Sequence, residues 1–414
     1  MTLIKTSLLN GIAVIIKMLT LLGLNKILAI YVGPSGYAAL GQFQNVVQMI
    51  TTFASGAINT GVTKYTAEHF DDEVRQHAVW HTAGTIALIG SLSSAALVVA
   101  FNRSLAGWAL KDETLGSVFI WFAATLVLFV FNTLLLAILN GKKEIQRYVI
   151  ANIAGSLLAL AVTSFMAIQF GLYGALVALA IYQSLTFFVT LLMTYKAPWF
   201  KFVYLVGGID KSAAKDLSKY AAMAIFSAIL APFSHTLIRN HLGETLSWDA
   251  AGYWEAMWRL SGAYLMLVTT TLGIYYLPRL SELQNSADIR QEIIQGYKLI
   301  LPITAFFGVI LYVSRGLVTK VLFSIEFQEM EVLFAWQIIG DILKIASWIL
   351  SFLMLAKAMT KLFLLTQVFF HSGFYLLTVL FTPIYGLQGV AIAHASCYFI
   401  FFIFLYILVF KKLK

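Results

Sequence analysis

The chain has little charge and almost none of the residue patterns that build soluble chemistry. Only 28 of its 414 residues are basic and 19 acidic, 11% in all, while 60% are hydrophobic; an ordinary globular chain carries about 25% charge. So few ions cannot clothe a core of this size in water, and the chain must be solvated mainly by lipid. A single cysteine, Cys397, excludes a disulfide framework and any cysteine-based zinc or iron–sulfur site. The seven histidines never take the HExxH metal spacing, and no Gly-x-x-x-x-Gly-Lys loop exists to cradle a nucleotide. Metal, ATP and nucleic-acid partners are therefore not expected, and no hydrophilic stretch is long enough to fold as a separate soluble domain.

What is present is a series of long apolar runs. A bilayer crossing takes about 20 mostly apolar helical residues. Runs of that kind fall near 6–30, 37–62, 79–101, 115–139, 148–170, 173–195, 219–241, 251–277, 297–317, 330–355, 361–383 and 387–410, twelve in all. The first is too long for a cleaved signal and lacks a small-residue cleavage site. If the loops alternate with the N-terminus inside, the basic residues divide into 19 inside, 5 outside and 4 within spans, as the positive-inside rule requires. Both termini are then cytoplasmic, and the outside loops are short.

The chain also contains an internal repeat. Gly171, Leu172, Gly174, Ala178 and Ala180 recur as Gly386, Leu387, Gly389, Ala393 and Ala395, each 215 positions later; Lys142 and Lys357 keep the same offset. That offset is close to half the chain. The division expected is a six-helix bundle over 1–198, a cytoplasmic linker over 199–218 and a second six-helix bundle over 219–414. Six is even, so both bundles insert the same way up, as in transporters built from parallel repeats. The connector near 196–218, with Lys219 just after it, carries five lysines and suits a surface of anionic headgroups.

Several spans carry polar faces. In the second span Gln42, Asn45, Gln48, Thr52, Ser55, Asn59 and Thr63 follow helical spacing and form one stripe. Seven hydrogen-bonding groups facing acyl chains would each cost several kcal/mol. A wetted lumen accounts for a full-length stripe better than helix–helix pairing, which needs one or two such groups. Span ten holds Gln337, Asp341, Lys344 and Ser351, with Asp341 and Lys344 spaced to pair. Span eight holds Glu255 and Arg259 beside Trp254 and Trp258. Span seven holds His235 and Arg239 after Pro232, span one Lys17 and Lys26, and span eleven Gln367 and His371. Lys26 and Arg239 stand near the outer interface, where snorkelling is an alternative to facing a lumen. The Asp341–Lys344 pair has a purely structural reading as well, and His394 and His371 can be ordinary core histidines. Counting Lys17, Lys26, Arg259 and Lys344 against Asp341, the deep charges are four basic to one acidic. Such a balance stabilises an anion, and phosphate oxygens are good acceptors for lysine and arginine.

Several motifs resemble the Wzx-type polysaccharide flippases of the multidrug/oligosaccharidyl-lipid/polysaccharide exporter superfamily, over essentially the whole chain. They are Gly61-Val62-Thr63-Lys64-Tyr65, Ser247-Trp248-Asp249 with Gly252 and Trp254, Tyr276-Leu277-Pro278, and Phe334-Ala335-Trp336-Gln337 leading to Gly340, Asp341 and Lys344. Lys5, Lys17 and Lys26 share the likeness, and the tryptophan motif of span ten is the most specific. The nearest branch resembles the flippases of enterobacterial common antigen lipid III and of O-antigen units.

The resemblance implies an all-α integral membrane fold, two six-helix bundles in a V like that of multidrug and toxin (MATE) exporters. It implies transport, not catalysis, of an undecaprenyl-pyrophosphate-linked oligosaccharide across a bacterial inner membrane, from cytoplasmic to periplasmic leaflet. No cofactor is implied beyond a proton or sodium gradient as the drive; the polymerase and chain-length regulator of the same pathway are the expected partners. On this reading Lys17, Lys26, Arg239, Arg259 and Lys344 hold the pyrophosphate, and Asn45, Gln48, Asn59, Trp254, Trp258 and Gln337 meet the sugars. Asp341, Glu255, His235 and His371 are the ion-pair or coupling candidates. Two other functions stay open. A cation or drug antiporter of the same fold would want a carboxylate within the spans of its first half, and none is found there. A membrane glycan polymerase would want a substantial outside loop, and none is long enough.

Overall fold

A chain in lipid must satisfy its backbone polar groups internally, and this one does so with helices throughout. The computed structural model describes residues 3–357 and 359–412, among which fifteen α-helices are found. They are α1 (Leu3–Tyr31), α2 (Gly33–Ala54), α3 (Asn59–Glu68), α4 (Glu73–Ala100), α5 (Asn102–Leu110), α6 (Gly116–Gly141), α7 (Ile145–Thr194), α8 (Lys211–Thr245), α9 (Trp248–Thr271), α10 (Leu277–Glu282), α11 (Ser286–Val313), α12 (Arg315–Leu322), α13 (Phe334–Ala356), α14 (Thr360–Tyr385) and α15 (Gln388–Lys412). Eight helical segments are long and apolar enough to cross a membrane: those of α1, α4, α6, α7, α11, α13, α14 and α15. Large apolar side chains such as Leu192, Leu299, Val313 and Ile384 are exposed on these helices, as lipid solvation requires. The protein is an all-α, multi-span membrane protein. Of the residues quoted above, Lys5, Lys219, Leu277 and Pro278 lie outside those whose side chains are described.

The chain forms two compact units. Unit 1 comprises Met1–Val32 with Ala39–Pro232, and unit 2 comprises Gly33–Ala38 with Phe233–Lys414. In unit 1 the buried side chains of Val62, Tyr65, Trp80, Leu134, Leu135 and Ile138 bring α3, α4 and α6 together. In unit 2 Tyr37, from the short N-terminal piece, packs edge-on against Phe323 and Phe327 with ring centroids 6.1 and 5.1 Å away.

Structure repeats along with sequence. α2 and α9 begin at Gly33 and Trp248, α6 and α13 end at Gly141 and Ala356, and α7 and α14 begin at Ile145 and Thr360; each pair is 215 positions apart. The backbone supplies a finer match. α7 is broken at Gly171 (φ 56°, ψ −136°), and α14 ends at Gly386 (φ 58°, ψ −138°). Only glycine adopts such angles readily. A Cβ on Gly174 would lie 2.0 Å from the Met166 carbonyl oxygen, and one on Gly389 would lie 2.6 Å from that of Phe381. Met166 and Phe381 again keep the offset.

The second span departs from its expected form. The stripe from Gln42 to Thr63 is not on one continuous helix, because α2 stops at Ala54 and α3 starts at Asn59. Gly56 and Ala57 between them take positive φ, 62° and 53°. Ser55 supplies the local alternative to helix: its Oγ accepts the Ala57 N–H at 3.3 Å, a bond shared with the Thr52 carbonyl at 3.0 Å. In the second half the corresponding stretch is a π-helical turn, Leu272–Tyr276, between α9 and α10. Both halves thus interrupt the corresponding helix at overlapping places, 55–58 in the first and the equivalent of 57–61 in the second, by different means.

Gly171→Ala and Gly386→Ala should each cost about 1–3 kcal/mol of stability, since both force an L-residue into the same disallowed backbone. Gly262→Ala, where an added Cβ meets nothing within 4 Å, should be silent. Apparent melting temperatures of the three variants in detergent, followed by fluorescence-detected gel filtration, check this.

Candidate functional site

Five charged residues of unit 2, Arg239 on α8, Glu255 and Arg259 on α9, and Asp341 and Lys344 on α13, gather in two clusters joined by aromatic rings. Glu255 on α9 is buried and accepts two guanidinium groups. Arg259, one helical turn on, donates Nε to Oε1 at 2.7 Å, and Arg239 on α8 donates Nε to Oε2 at 3.0 Å with a second, shorter bond from Nη2. Arg239 is wholly enclosed, with its guanidinium carbon 5.4 Å from the centre of the Trp254 ring. Arg259 lies 5.3 Å from the ring centre of Tyr37 and keeps 17% of its side chain exposed.

The second cluster surrounds Asp341 on α13. Tyr264 donates its hydroxyl to Oδ2 at 2.9 Å, Gln337 donates its amide to Oδ1 at 3.3 Å, and His394 Nε2 stands 3.9 Å from Oδ1. Spacing along the helix suggested an Asp341–Lys344 ion pair, but tertiary packing decides otherwise. The Lys344 ammonium sits 4.9 Å from the Trp258 ring centre and 5.2 Å from that of Trp348, where the ring quadrupoles attract a cation. Asp341, Gln337 and His394 are fully buried. Neither ring nitrogen of His394, nor Gln337 Oε1, finds a hydrogen-bond partner among the described residues.

Rings link the two clusters. His235 packs edge-on to Trp258 at 4.5 Å and to Trp254 at 5.6 Å, and lies 6.5 Å from His371. Trp258 also meets His394 at 5.5 Å and Phe374 at 6.4 Å. Trp254 is entirely buried and offers no open face in this conformation, whereas Trp258 is partly exposed. Sequence reasoning missed Tyr264 and Trp348, and nothing in their spacing marks them: both act from helix faces that only packing reveals.

Unit 1 holds the remaining expected residues. Lys17 is exposed and Lys26 half-buried on α1. Nine positions at about 100° each put them on opposite faces of a straight helix, so α1 does not present both to one side. Asn45 is buried and donates to the Pro232 carbonyl at 3.0 Å, Asn59 donates to Thr133 at 3.2 Å, and Gln48 is exposed.

The repeat serves as an internal control on these charges. At 215 positions before Arg239, Glu255, Arg259, Asp341, Lys344 and His394 stand Leu24, Leu40, Gln44, Leu126, Phe129 and Leu179. Leu40, Leu126 and Leu179 are buried, so the same fold is built at those places with aliphatic packing. Conversely, Asn45, Gln48 and Asn59 of the first half are answered by Leu260, Ala263 and Ile274. At these positions one half carries neutral hydrogen-bonding groups and the other carries ions.

Residues 3–284 match the model of the Polysaccharide biosynthesis protein family, which is more than half of the chain. The chain belongs to this family. Two curated relatives, the lipid III flippases of Escherichia coli (strain K12) and Shigella flexneri, are each 29% identical over 407 residues, covering 97% of this chain and 97% of theirs. Solved structures with the same fold include a multidrug-resistance MATE family transporter in an inward-facing conformation (TM-score 0.75, 15% identity, 96% of this chain and 95% of that one). An outward-facing form gives a TM-score of 0.66 at 14% identity, with 97% and 95% covered. The chain thus shares a MATE-like fold with these transporters, and the curated relatives it matches along nearly their whole length are flippases.

Removing Glu255 alone should leave two arginines facing each other without their anion. Glu255→Leu is expected to cost about 3–5 kcal/mol, the usual penalty for breaking a buried ion pair. A lowered yield of monodisperse protein and a lower melting temperature than Glu282→Leu, an exposed control on α10, would show it.

Proposed function

We propose that the chain is a flippase that carries a polyprenyl-pyrophosphate-linked oligosaccharide, of the lipid III or O-antigen kind, from the cytoplasmic to the periplasmic leaflet of a bacterial inner membrane. The observation that carries this reading is the asymmetry between the halves. Among the described residues, Arg239, Glu255 and Asp341 are buried in the second half and the half-buried Arg259 and Lys344 join them, three cations to two carboxylates. The equivalent first-half positions hold Leu24, Leu40, Gln44, Leu126 and Phe129. A surplus of cation suits a diphosphate and not a cationic drug. The acidic residues of the first half from Glu68 to Glu144 fall at helix ends and in loops. The relatives named lipid III flippase point the same way.

Each residue then has a role. Arg259 and Lys344 are partly exposed and meet the phosphate oxygens; Arg239, enclosed, holds Glu255 so that Glu255 orients Arg259. Lys17 or Lys26 adds charge from α1. Gln48, Asn59 and Trp258 offer hydrogen bonds and a ring face to the sugars, while Asn45, Gln337 and Trp254 support them from buried positions. Asp341 beside His394, with Glu255, His235 and His371 nearby in the same unit, is the place for a proton or sodium ion to couple. Counting α7 as two spans at Gly171 and α2–α3 as one, with α8 and α9, twelve crossings result. Both termini are then cytoplasmic, and the similar inward- and outward-facing structures support alternating access.

The first half supplies the test. A triple variant Arg239→Leu, Glu255→Leu, Arg259→Gln installs the residues of the equivalent first-half positions. Removing the whole ion cluster together should restore the stability that Glu255→Leu loses, yet abolish leaflet transfer of a polyprenyl-pyrophosphate oligosaccharide in reconstituted vesicles. A well-folded triple variant that transports at the parent's rate would overturn the proposal.

A further inference from the structure

The connector between α7 and α8 is not a free linker. Ala197, Phe200, Leu205, Ala213 and Leu217 are buried in the core of unit 1 beside Trp80 and Leu134. Tyr204 stacks on His77 with ring centroids 3.7 Å apart, and Trp199 donates to Glu144 at 3.2 Å. The backbone then runs along α4 at Gly84, so close that a Cβ there would lie 1.5 Å from the Leu205 carbonyl oxygen. Its polar groups are satisfied as it goes. Gly207 exchanges two hydrogen bonds with Thr85, at 2.8 and 3.1 Å; the Asp210 N–H reaches Thr82 at 2.9 Å; and His81 Nε2 is 3.0 Å from the Val203 carbonyl. Thr82 and Thr85 lie in Glu73–Ala100, a helical segment long and apolar enough to cross a membrane. Irregular backbone beside such a helix persists when its polar groups are paired in this way.

The outer face of this strap is apolar and, among the described residues, largely uncovered, its one ring contact being Phe202 edge-on to Phe200 at 5.3 Å. Phe202, Val203, Val206 and Ile209 are 59%, 66%, 40% and 52% exposed. Lys196, Lys201, Lys211 and Lys215 flank them, all exposed. Of the intervening acids, Asp210 is occupied in capping α8 through the Ala213 N–H, at 2.8 Å. Apolar side chains ringed by lysines are the mark of an element lying in a bilayer interface, whereas protein interfaces are depleted in lysine. We infer that the strap is an interfacial anchor, whose Phe202, Val203, Val206 and Ile209 enter the acyl boundary of the adjoining leaflet while its lysines bind anionic phospholipid headgroups. The inference is independent of what the protein transports.

Depth-dependent quenching tests it. Val203→Cys is labelled with an environment-sensitive fluorophore in full-length protein, with Asp71→Cys in the exposed α3–α4 turn as the aqueous control; Cys397 is buried and the unsubstituted parent gives the background. In vesicles of phosphatidylethanolamine and phosphatidylglycerol, lipids carrying a shallow nitroxide should quench position 203 about twofold or more over position 71. Removing phosphatidylglycerol, or replacing Lys196, Lys201, Lys211 and Lys215 together by glutamine, should reduce that excess. Quenching by aqueous iodide instead of lipid would mean a strap in water, and protection from both quenchers would mean cover by protein. Lipid quenching indifferent to phosphatidylglycerol and to the lysines would remove the headgroup site. Each of these three results overturns the inference.

Discussion

Glu255 shared between Arg239 and Arg259 is the interaction on which the electrostatics of the second half depend. Any one of the three ions, alone in an apolar bundle, would be too costly to keep; together they reduce to one net positive charge whose most accessible part is Arg259. The aromatic rings do the rest, placing Tyr37 against Arg259, Trp254 against Arg239 and Trp258 against Lys344. A ring face lowers the cost of a desolvated cation without neutralising it, so the cluster keeps its attraction for an anion. Buried ion clusters add little net stability compared with apolar packing, and the first half, built with Leu24, Leu40 and Gln44 at these places, makes the comparison within one chain.

Much of this was legible in the sequence, for reasons that can be assigned to particular residues. Long apolar runs mark helices because lipid permits little else. Five shared small or apolar residues around Gly171 and Gly386 marked the repeat because close packing and an uncommon backbone demand glycine at fixed places. The Glu255–Arg259 spacing marked a pair. What stayed hidden depends on the third dimension. Arg239 reaches Glu255 from another helix, and Lys344 leaves Asp341 for two tryptophan faces. The polar stripe from Gln42 to Thr63 keeps helical spacing on paper although Ser55, Gly56 and Ala57 break the helix. Lys17 and Lys26 look like neighbours in one span but point to opposite sides of it.

The connector illustrates the same limit from the other side. Its lysines mark a linker suited to anionic headgroups, but its apolar residues also divide between two directions, Phe200, Tyr204 and Leu205 inward and Phe202, Val203 and Val206 outward. A run too short and too irregular for any periodicity still acquires two faces, because Gly84 lets its backbone lie against α4 and two threonines meet its polar groups. Composition alone sees neither.

The interruption of the second span by Ser55–Ile58 in one half, and by a π-turn in the other, has an evolutionary consequence. Once two copies of an ancestral segment are joined in one polypeptide, drift in one no longer has to be matched in its sibling. The two halves carry breaks at overlapping places, and each builds its break with residues of its own. The paralogous halves could then specialise, one toward neutral polarity and one toward ions, without either losing the shared scaffold.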